Sequence, residues 1–354
     1  MSVNIDKVLE QKQVEAVLIT DPYNMRYISG FCGGEGILYV SRAQHVLITD
    51  SRYTEAAMNE SDFTVVEENQ NQKRTEILKG CIARDQITDI GYEDETMRCS
   101  ELAHLSRELS EVKTWIPMGG SVDELRQIKT PEEIACLRRA EEIGDIAFTA
   151  ILKYLKPGVT ELEVAAHLEF EMKMAGASDL SFETIVASGL NSSMPHAHPT
   201  EKKLENGDFV TMDFGCKYNG YCSDMTRTVV IGKANDKQKE IYSTVLKAQE
   251  AALAMLKAGI QGREADKVAR TIIEEAGYGE CFGHSLGHSV GLFIHENPGL
   301  STRSEVVLQE NMIETVEPGI YIPGFGGVRI EDMVVITKDG IENLTHSQKQ
   351  LIEL

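Results

Sequence analysis

Thr211-Met212-Asp213-Phe214-Gly215-Cys216-Lys217-Tyr218-Asn219-Gly220-Tyr221-Cys222-Ser223-Asp224-Met225-Thr226-Arg227 is the stretch on which the fold turns. Asn219-Gly220 is a strong hairpin signal, because both residues tolerate the positive φ of a type I′ turn. A two-residue loop there pairs Tyr218 with Tyr221. Counting outward, Gly215 faces Asp224 and Asp213 faces Thr226. Side chains alternate along a strand, so Asp213 and Asp224 share one face as diagonal neighbours, roughly 5–8 Å apart. Like charges at that range push one carboxylate to hold its proton. A divalent cation between them removes the cost. An exposed polar face of an antiparallel sheet explains the same two residues, and the hairpin alone favours that plainer reading.

Around the hairpin lie further strand-like segments: Ile185–Ser188, Phe209–Phe214, 221–231, Ile313–Val316 and 328–336. Helices stand between them. Thr130-Pro131-Glu132-Glu133 and Thr160-Glu161-Leu162-Glu163 are capping boxes. The helix they open first carries Ile134, Leu137 and Ala140 on one face. Two more helices are expected over 236–259 and 263–276, each stopping at or just before a glycine. Helices and hairpins without βαβ order predict an α+β domain with a curved antiparallel sheet.

Upstream, a boundary is expected near Gly119-Gly120-Ser121, giving domains of residues 1–122 and 123–354. The first is a small α/β unit. Short apolar runs at Ala16–Ile19, 37–40, 46–48 and 63–66 read as strands, with helices over 54–59, 73–82 and 100–109. Gly33-Gly34-Glu35-Gly36 has the spacing of neither a phosphate loop nor a dinucleotide fingerprint and reads as a turn.

Bulk properties narrow the function. The chain has 354 residues, long enough for two domains. Its formal net charge of -21 repels phosphate backbones and anionic lipid, so no nucleic-acid or membrane partner is expected. Seven cysteines at irregular spacing form no C-x-x-C pair and read as reduced thiols. Met1-Ser2-Val3-Asn4-Ile5-Asp6-Lys7 does not read as a secretory signal, and a cytoplasmic location is expected.

Two segments join the hairpin in carrying chemistry. Gly287-His288-Ser289-Val290-Gly291 is followed by His295-Glu296, and Glu317-Pro318-Gly319 by Gly326-Gly327-Val328-Arg329-Ile330-Glu331. A lone histidine beside glycines is more often a satisfied core residue. Arg329 and Glu331, two apart on a strand, are more often a surface ion pair. Together, however, the segments and the hairpin supply four carboxylates and one imidazole. That set suits two divalent ions with oxygen-rich shells, and two ions 3.5–4 Å apart, roughly, can share and acidify a water. Competing sites fail: no histidine follows His295 by four residues, and no Gly-x-Ser-x-Gly elbow is present.

Asp213, Asp224, His288, Glu317 and Glu331, in this order and with the eleven-residue step between the aspartates, resemble the five metal ligands of the pita-bread-fold metallopeptidases. The loop Gly189-Leu190-Asn191-Ser192-Ser193-Met194-Pro195-His196-Ala197-His198-Pro199, the pair Gly283-His284, and Tyr321-Ile322-Pro323-Gly324 resemble the proline-specific branch, aminopeptidase P and prolidase. Thr20-Asp21-Pro22-Tyr23-Asn24-Met25-Arg26-Tyr27 and Thr49-Asp50-Ser51-Arg52-Tyr53 resemble its creatinase-type N-terminal domain. Glu314 departs from the pattern, standing where an apolar residue is expected, and bears on packing or assembly. The resemblance implies a pita-bread catalytic domain behind an α/β creatinase-type domain. It implies a dinuclear exopeptidase that cleaves an N-terminal residue from a following proline. The main reading is an Xaa-Pro aminopeptidase. The alternative is prolidase, an Xaa-Pro dipeptidase, and a remote one is a silent pita-bread binding protein. It implies catalytic roles for His196, His295 and Glu317 and substrate contacts for His196, His284, His295 and Arg329. It implies Mn²⁺, with Co²⁺, Zn²⁺ or Fe²⁺ also fitting the ligands, and a homodimer.

Overall fold

Every residue of the first strand, β1 (Ala16–Ile19), is buried, as expected of a strand covered on both faces. It lies inside a six-stranded mixed sheet with β2 (Ile37–Ser41), β3 (His45–Asp50), β4 (Thr64–Glu68), β5 (Asp89–Tyr92) and β6 (Thr114–Pro117), in the order β4-β3-β2-β1-β5-β6. Ala16 and Leu18 pack on one face with Tyr39 and Ile48. Val17 and Ile19 pack on the other with Leu38, Val40 and Leu47. Helices α1 (Asp6–Lys12), α2 (Pro22–Ser29), α3 (Thr54–Glu60), α4 (Arg74–Asp85) and α5 (Cys99–Glu108) complete this unit. The computed structural model describes residues 5–354, so the first four residues of the N-terminal stretch read for a secretory signal lie outside it.

Four of these elements are absent from the sequence reading. One is α1. In α2, Pro22 takes the first turn and the Asp21 carboxylate accepts the Tyr23 and Asn24 N–H groups. In β5, Gly91 breaks the apolar run; a Cβ there would lie 2.4 Å from the Met118 sulfur. In β6, Pro117 sits at the end of an edge strand, where its missing N–H costs no pairing.

The chain divides into two units, Met1–Arg126 and Gln127–Leu354. The second opens with α6 (Pro131–Ile151) and α7 (Glu161–Met174), both closed by reciprocal capping boxes at Thr130/Glu133 and Thr160/Glu163. These helices pack on β8 (Ile185–Ser188), β9 (Phe209–Phe214) and β12 (Met225–Val230) through Leu168, Met212, Phe214 and Val229. Between β9 and β12 run β10 (Cys216–Tyr218) and β11 (Tyr221–Cys222), with β7 (Asp179–Leu180) paired to β10. Then come α8 (Asp236–Met255) and α9 (Gly262–Glu275). After them run β13 (Gly287–Ser289), β14 (Glu296–Leu300), β15 (Ile313–Val316), β16 (Gly319–Ile322), β17 (Gly326–Arg329), β18 (Asp332–Ile336) and β19 (Ile341–Asn343), and the helices share a core with β14 to β18 through Val245, Leu253, Ala269, Leu300, Val316, Ile320, Val328 and Val334. All strand pairs of this unit are antiparallel.

The hairpin keeps one register throughout: Tyr218 faces Tyr221 and Asp213 faces Thr226, with no bulge between. Asn219 and Gly220 both have positive φ, 47° and 77°. Two expected strands are broken instead. The segment 221–231 splits at Ser223-Asp224, and 328–336 splits at Ile330-Glu331, because the backbone changes partner there. The Glu331 N–H leaves its own ladder to donate to the Thr226 carbonyl at 3.1 Å. The helix expected over 236–259 ends at Met255, where Leu256 turns extended. All seven cysteines are free thiols, and no helix among the described residues is long and apolar enough to cross a membrane.

Candidate metal centre and active site

Asp213 stands on β9 and Asp224 in the gap between β11 and β12. Both project on the face that also carries Thr226, as period-two alternation requires. Glu317 occupies the gap between β15 and β16, and Glu331 the gap between β17 and β18. His288 is the middle residue of β13. Its Nε2 lies 3.4 Å from Asp224 Oδ2 and 3.5 Å from Glu317 Oε1. One ligand atom each from Asp224, His288 and Glu331 falls within 4.8 Å of the others. With its proton on Nδ1, donated to the Ser289 carbonyl at 3.1 Å, His288 keeps the Nε2 lone pair for a cation.

Arg329 and Thr226 tie the remaining carboxylates together. The Arg329 guanidinium donates from Nη2 to Asp213 Oδ2 at 2.6 Å and from Nε to the Thr226 hydroxyl at 3.0 Å. That hydroxyl in turn donates to Glu331 Oε2 at 2.7 Å. Arg329 and Glu331 therefore meet one hydroxyl, but not as two residues of one strand; the chain changes sheets between them. Both are buried, so a surface ion pair is excluded. The Thr315 hydroxyl accepts the His288 N–H at 3.0 Å and donates to Glu317 Oε1 at 3.1 Å.

Without a cation the electrostatics are unfavourable. Burial, then Asp213, Glu317 and Glu141, hold the Asp224 carboxyl well above the usual range. Burial, then Asp224, Glu317 and Asp213, do the same to Glu331. Burial raises Glu317 as well. Asp213 Oδ1 is buried with no hydrogen-bond partner. Convergent carboxylates, an imidazole lone pair and an orphaned carboxylate oxygen form a donor set that fits divalent cations.

Three histidines border this cluster. His295 keeps part of its surface open to solvent, with its ring centroid 4.6 Å from that of His288; partial burial, then His288, lowers its pKa. His196 is exposed on the loop after β8, and its charge also lowers the pKa of His284 and His295. His284 is brought down to about 4, chiefly by burial and then by Arg329. Its Nε2 is 2.9 Å from the Tyr321 hydroxyl, which accepts from Arg329 Nη1 at 2.7 Å. Tyr321 thus donates to neutral His284, whose Nδ1 serves the Ser285 carbonyl at 2.8 Å. His198 is exposed, 3.7 Å from Glu183.

Tyr321, Thr226 and Thr315 enter the site without having been named for it. Thr226 and Thr315 were readable: each is two residues from a proposed ligand, on the same strand face. Tyr321 appeared only as a flanking residue, and nothing local marks its hydroxyl for Arg329. Glu314 is fully buried on β15, both carboxyl oxygens lack partners, and burial raises its pKa well above the usual range.

The sequence profile of metallopeptidase family M24 matches residues 135–338, and that of the creatinase/prolidase N-terminal domain matches residues 3–128. The chain is 42% identical to an Xaa-Pro dipeptidase of Pyrococcus furiosus, over 98% of this chain and 97% of the other. The structure of an Xaa-Pro dipeptidase from Bacillus anthracis is similar at 44% identity and a TM-score of 0.95, covering 99% of both chains. That of an X-Pro aminopeptidase from Thermotoga maritima is similar at 40% identity and a TM-score of 0.91, covering 99% of this chain and 100% of the other.

Proposed function

The chain belongs to metallopeptidase family M24, in its pita-bread, proline-specific branch with a creatinase/prolidase N-terminal domain, and on that premise we propose that it is an Xaa-Pro dipeptidase. The observation that carries this is the likeness, over nearly the whole length, to proteins so named from Pyrococcus furiosus and Bacillus anthracis. It moves the preference from the Xaa-Pro aminopeptidase expected at first to the dipeptidase. The aminopeptidase remains the second reading, favoured by the Thermotoga maritima likeness.

Asp213, Asp224, His288, Glu317 and Glu331 are the proposed ligands of two divalent ions, with Mn²⁺ the expected metal. When bound, such ions would supply Lewis acidity toward the scissile carbonyl and would lower the pKa of water. The protein's own groups do the rest. Glu317 takes and relays the proton of the attacking water. His196 and His295 donate N–H groups to the carbonyl oxygen as negative charge develops there. Arg329 holds Asp213 and the Thr226–Glu331 pair in place from behind. Tyr321 and Arg329 fix His284 as a neutral side chain facing substrate. A bond to proline carries no N–H, so recognition must come from ring shape and the substrate's termini. A homodimer and a cytoplasmic location complete the proposal.

Turnover of Xaa-Pro against Xaa-Pro-Yaa peptides by the Mn²⁺-loaded protein tests it. The dipeptide should be preferred by about tenfold or more, some 1.4 kcal/mol of transition-state discrimination. Preference for the longer peptides assigns the aminopeptidase instead. Cleavage of neither sinks both.

A further inference from the structure

The loop from Ser188 to Thr200, which carries His196, hangs on a buried side chain outside the machinery above. Glu161 is the first residue of α7 and is fully buried. Its Oε1 accepts the Ser188 N–H at 2.7 Å and the Ser188 hydroxyl at 2.8 Å. Its Oε2 accepts the Thr200 N–H at 3.0 Å and the Thr200 hydroxyl at 2.6 Å. The Asn191 amide donates to both oxygens, at 3.1 Å each. One oxygen therefore holds the start of the loop and the other its end. Further pins fix the middle. The Ser192 hydroxyl donates to the Gly189 carbonyl at 2.6 Å and accepts the Gly327 N–H at 2.9 Å. Arg329 Nη1 reaches the Pro195 carbonyl at 3.4 Å, one residue before His196.

Capping α7 does not require Glu161. Thr160 and Glu163 already close that helix reciprocally, at 3.1 and 2.7 Å. A buried carboxylate is costly unless its oxygens are satisfied, and here every satisfying side-chain and backbone donor comes from one loop, at Ser188, Asn191 and Thr200. Lys202 stands behind it, 2.9 Å from the Ser188 hydroxyl and 2.6 Å from Asp208. An amide could not replace the carboxylate, because its NH₂ would face donors at one end.

We propose that Glu161 is the positioning residue for His196: by closing the loop it sets where that imidazole stands over the substrate. The proposal rests on the peptidase reading of the site. Glu161→Gln and Glu161→Asp test it, each alone and with His196→Ala. The readouts are kcat and KM on an Xaa-Pro dipeptide, metal content, and amide hydrogen exchange over residues 188–200 without substrate. Glu161→Gln should keep its metal, speed exchange in the loop, and lose about 10²-fold in kcat with little change in KM, as a misplaced group does. Glu161→Asp should recover part of that loss. Added to His196→Ala, Glu161→Gln should cost less than about threefold more, because coupled residues are not additive. Multiplying losses in the double variant, or loop exchange unchanged by Glu161→Gln, overturn the proposal. If Glu161→Gln does not fold, Thr200→Val removes one of the same donors and carries the comparison. A wild-type protein inert on Xaa-Pro peptides defeats the substrate reading, while loop exchange still decides whether Glu161 closes the loop.

Discussion

At Asp213 the two carboxylate oxygens are treated differently: Oδ2 takes the Arg329 guanidinium, and Oδ1 is buried without a partner. A lone pair left so costs about 1–3 kcal/mol, which a cation would offset. His295 stands beside this cluster and is proposed to touch substrate, not metal. His295→Ala should therefore keep full metal content by elemental analysis and lose about 10²–10³-fold in kcat, the usual cost of one oxyanion donor. Loss of metal in that variant would overturn the division of roles. Glu314 makes a different prediction. Its carboxyl is buried, unpartnered and raised in pKa, so the fold favours its protonated form. Below the unfolded pKa both states are protonated and nothing is lost. Above it the unfolded chain ionises while the folded one does not follow, and stability falls as pH rises, by about 1.4 kcal/mol per pH unit until the folded pKa is reached. Glu314→Gln removes this term. Its stability relative to wild type, from denaturant unfolding of the metal-loaded proteins, should be greater at pH 8 than at pH 6. An equal difference at both pH values would show that Glu314 ionises in the fold.

Strand ends, not strand middles, carry most of the proposed ligands. Asp224, Glu317 and Glu331 each lie in a gap where the chain passes from one pairing partner to the next. Carboxylates there are free to turn inward without breaking a ladder. The hairpin that places Asp213 and Asp224 was legible because Asn219-Gly220 and period-two counting are local. The capping boxes at Thr130 and Thr160 were legible for the same reason. The gap at Glu331 was not, since Ile330-Glu331-Asp332 contains no glycine or proline and the break is made by Thr226, 105 residues away in sequence. The convergence of His288, Glu317 and Glu331 on the hairpin was equally non-local and came only from resemblance. Gly215 makes the hairpin itself testable. A Cβ there would lie 1.9 Å from the Ser223 carbonyl oxygen, a backbone atom that cannot swing away. Gly215→Ala should cost at least about 2 kcal/mol in urea unfolding and weaken metal binding by separating the two aspartates. A variant as stable as wild type would mean that the strands spread without cost.

For the molecule as a whole, the two-domain α/β plus α+β organisation followed from apolar periodicity and from the change of pattern after the first ~120 residues. Dipeptide against longer-peptide specificity did not, because the roles proposed for the ligands, His196, His295 and Arg329 are the same in both chemistries. Only comparison with relatives moved that preference. The net charge of -21 counts the four carboxylates of the proposed centre without their cations, so metal loading should be a large term in both charge and stability. Elemental analysis of the wild-type protein and of Asp224→Asn, each saturated with Mn²⁺ and dialysed, tests the central claim most directly. The account predicts two ions per wild-type chain, and in Asp224→Asn the loss of tight metal binding together with turnover. A wild-type chain that retains no divalent metal, or an Asp224→Asn chain that retains two and remains active, would contradict it.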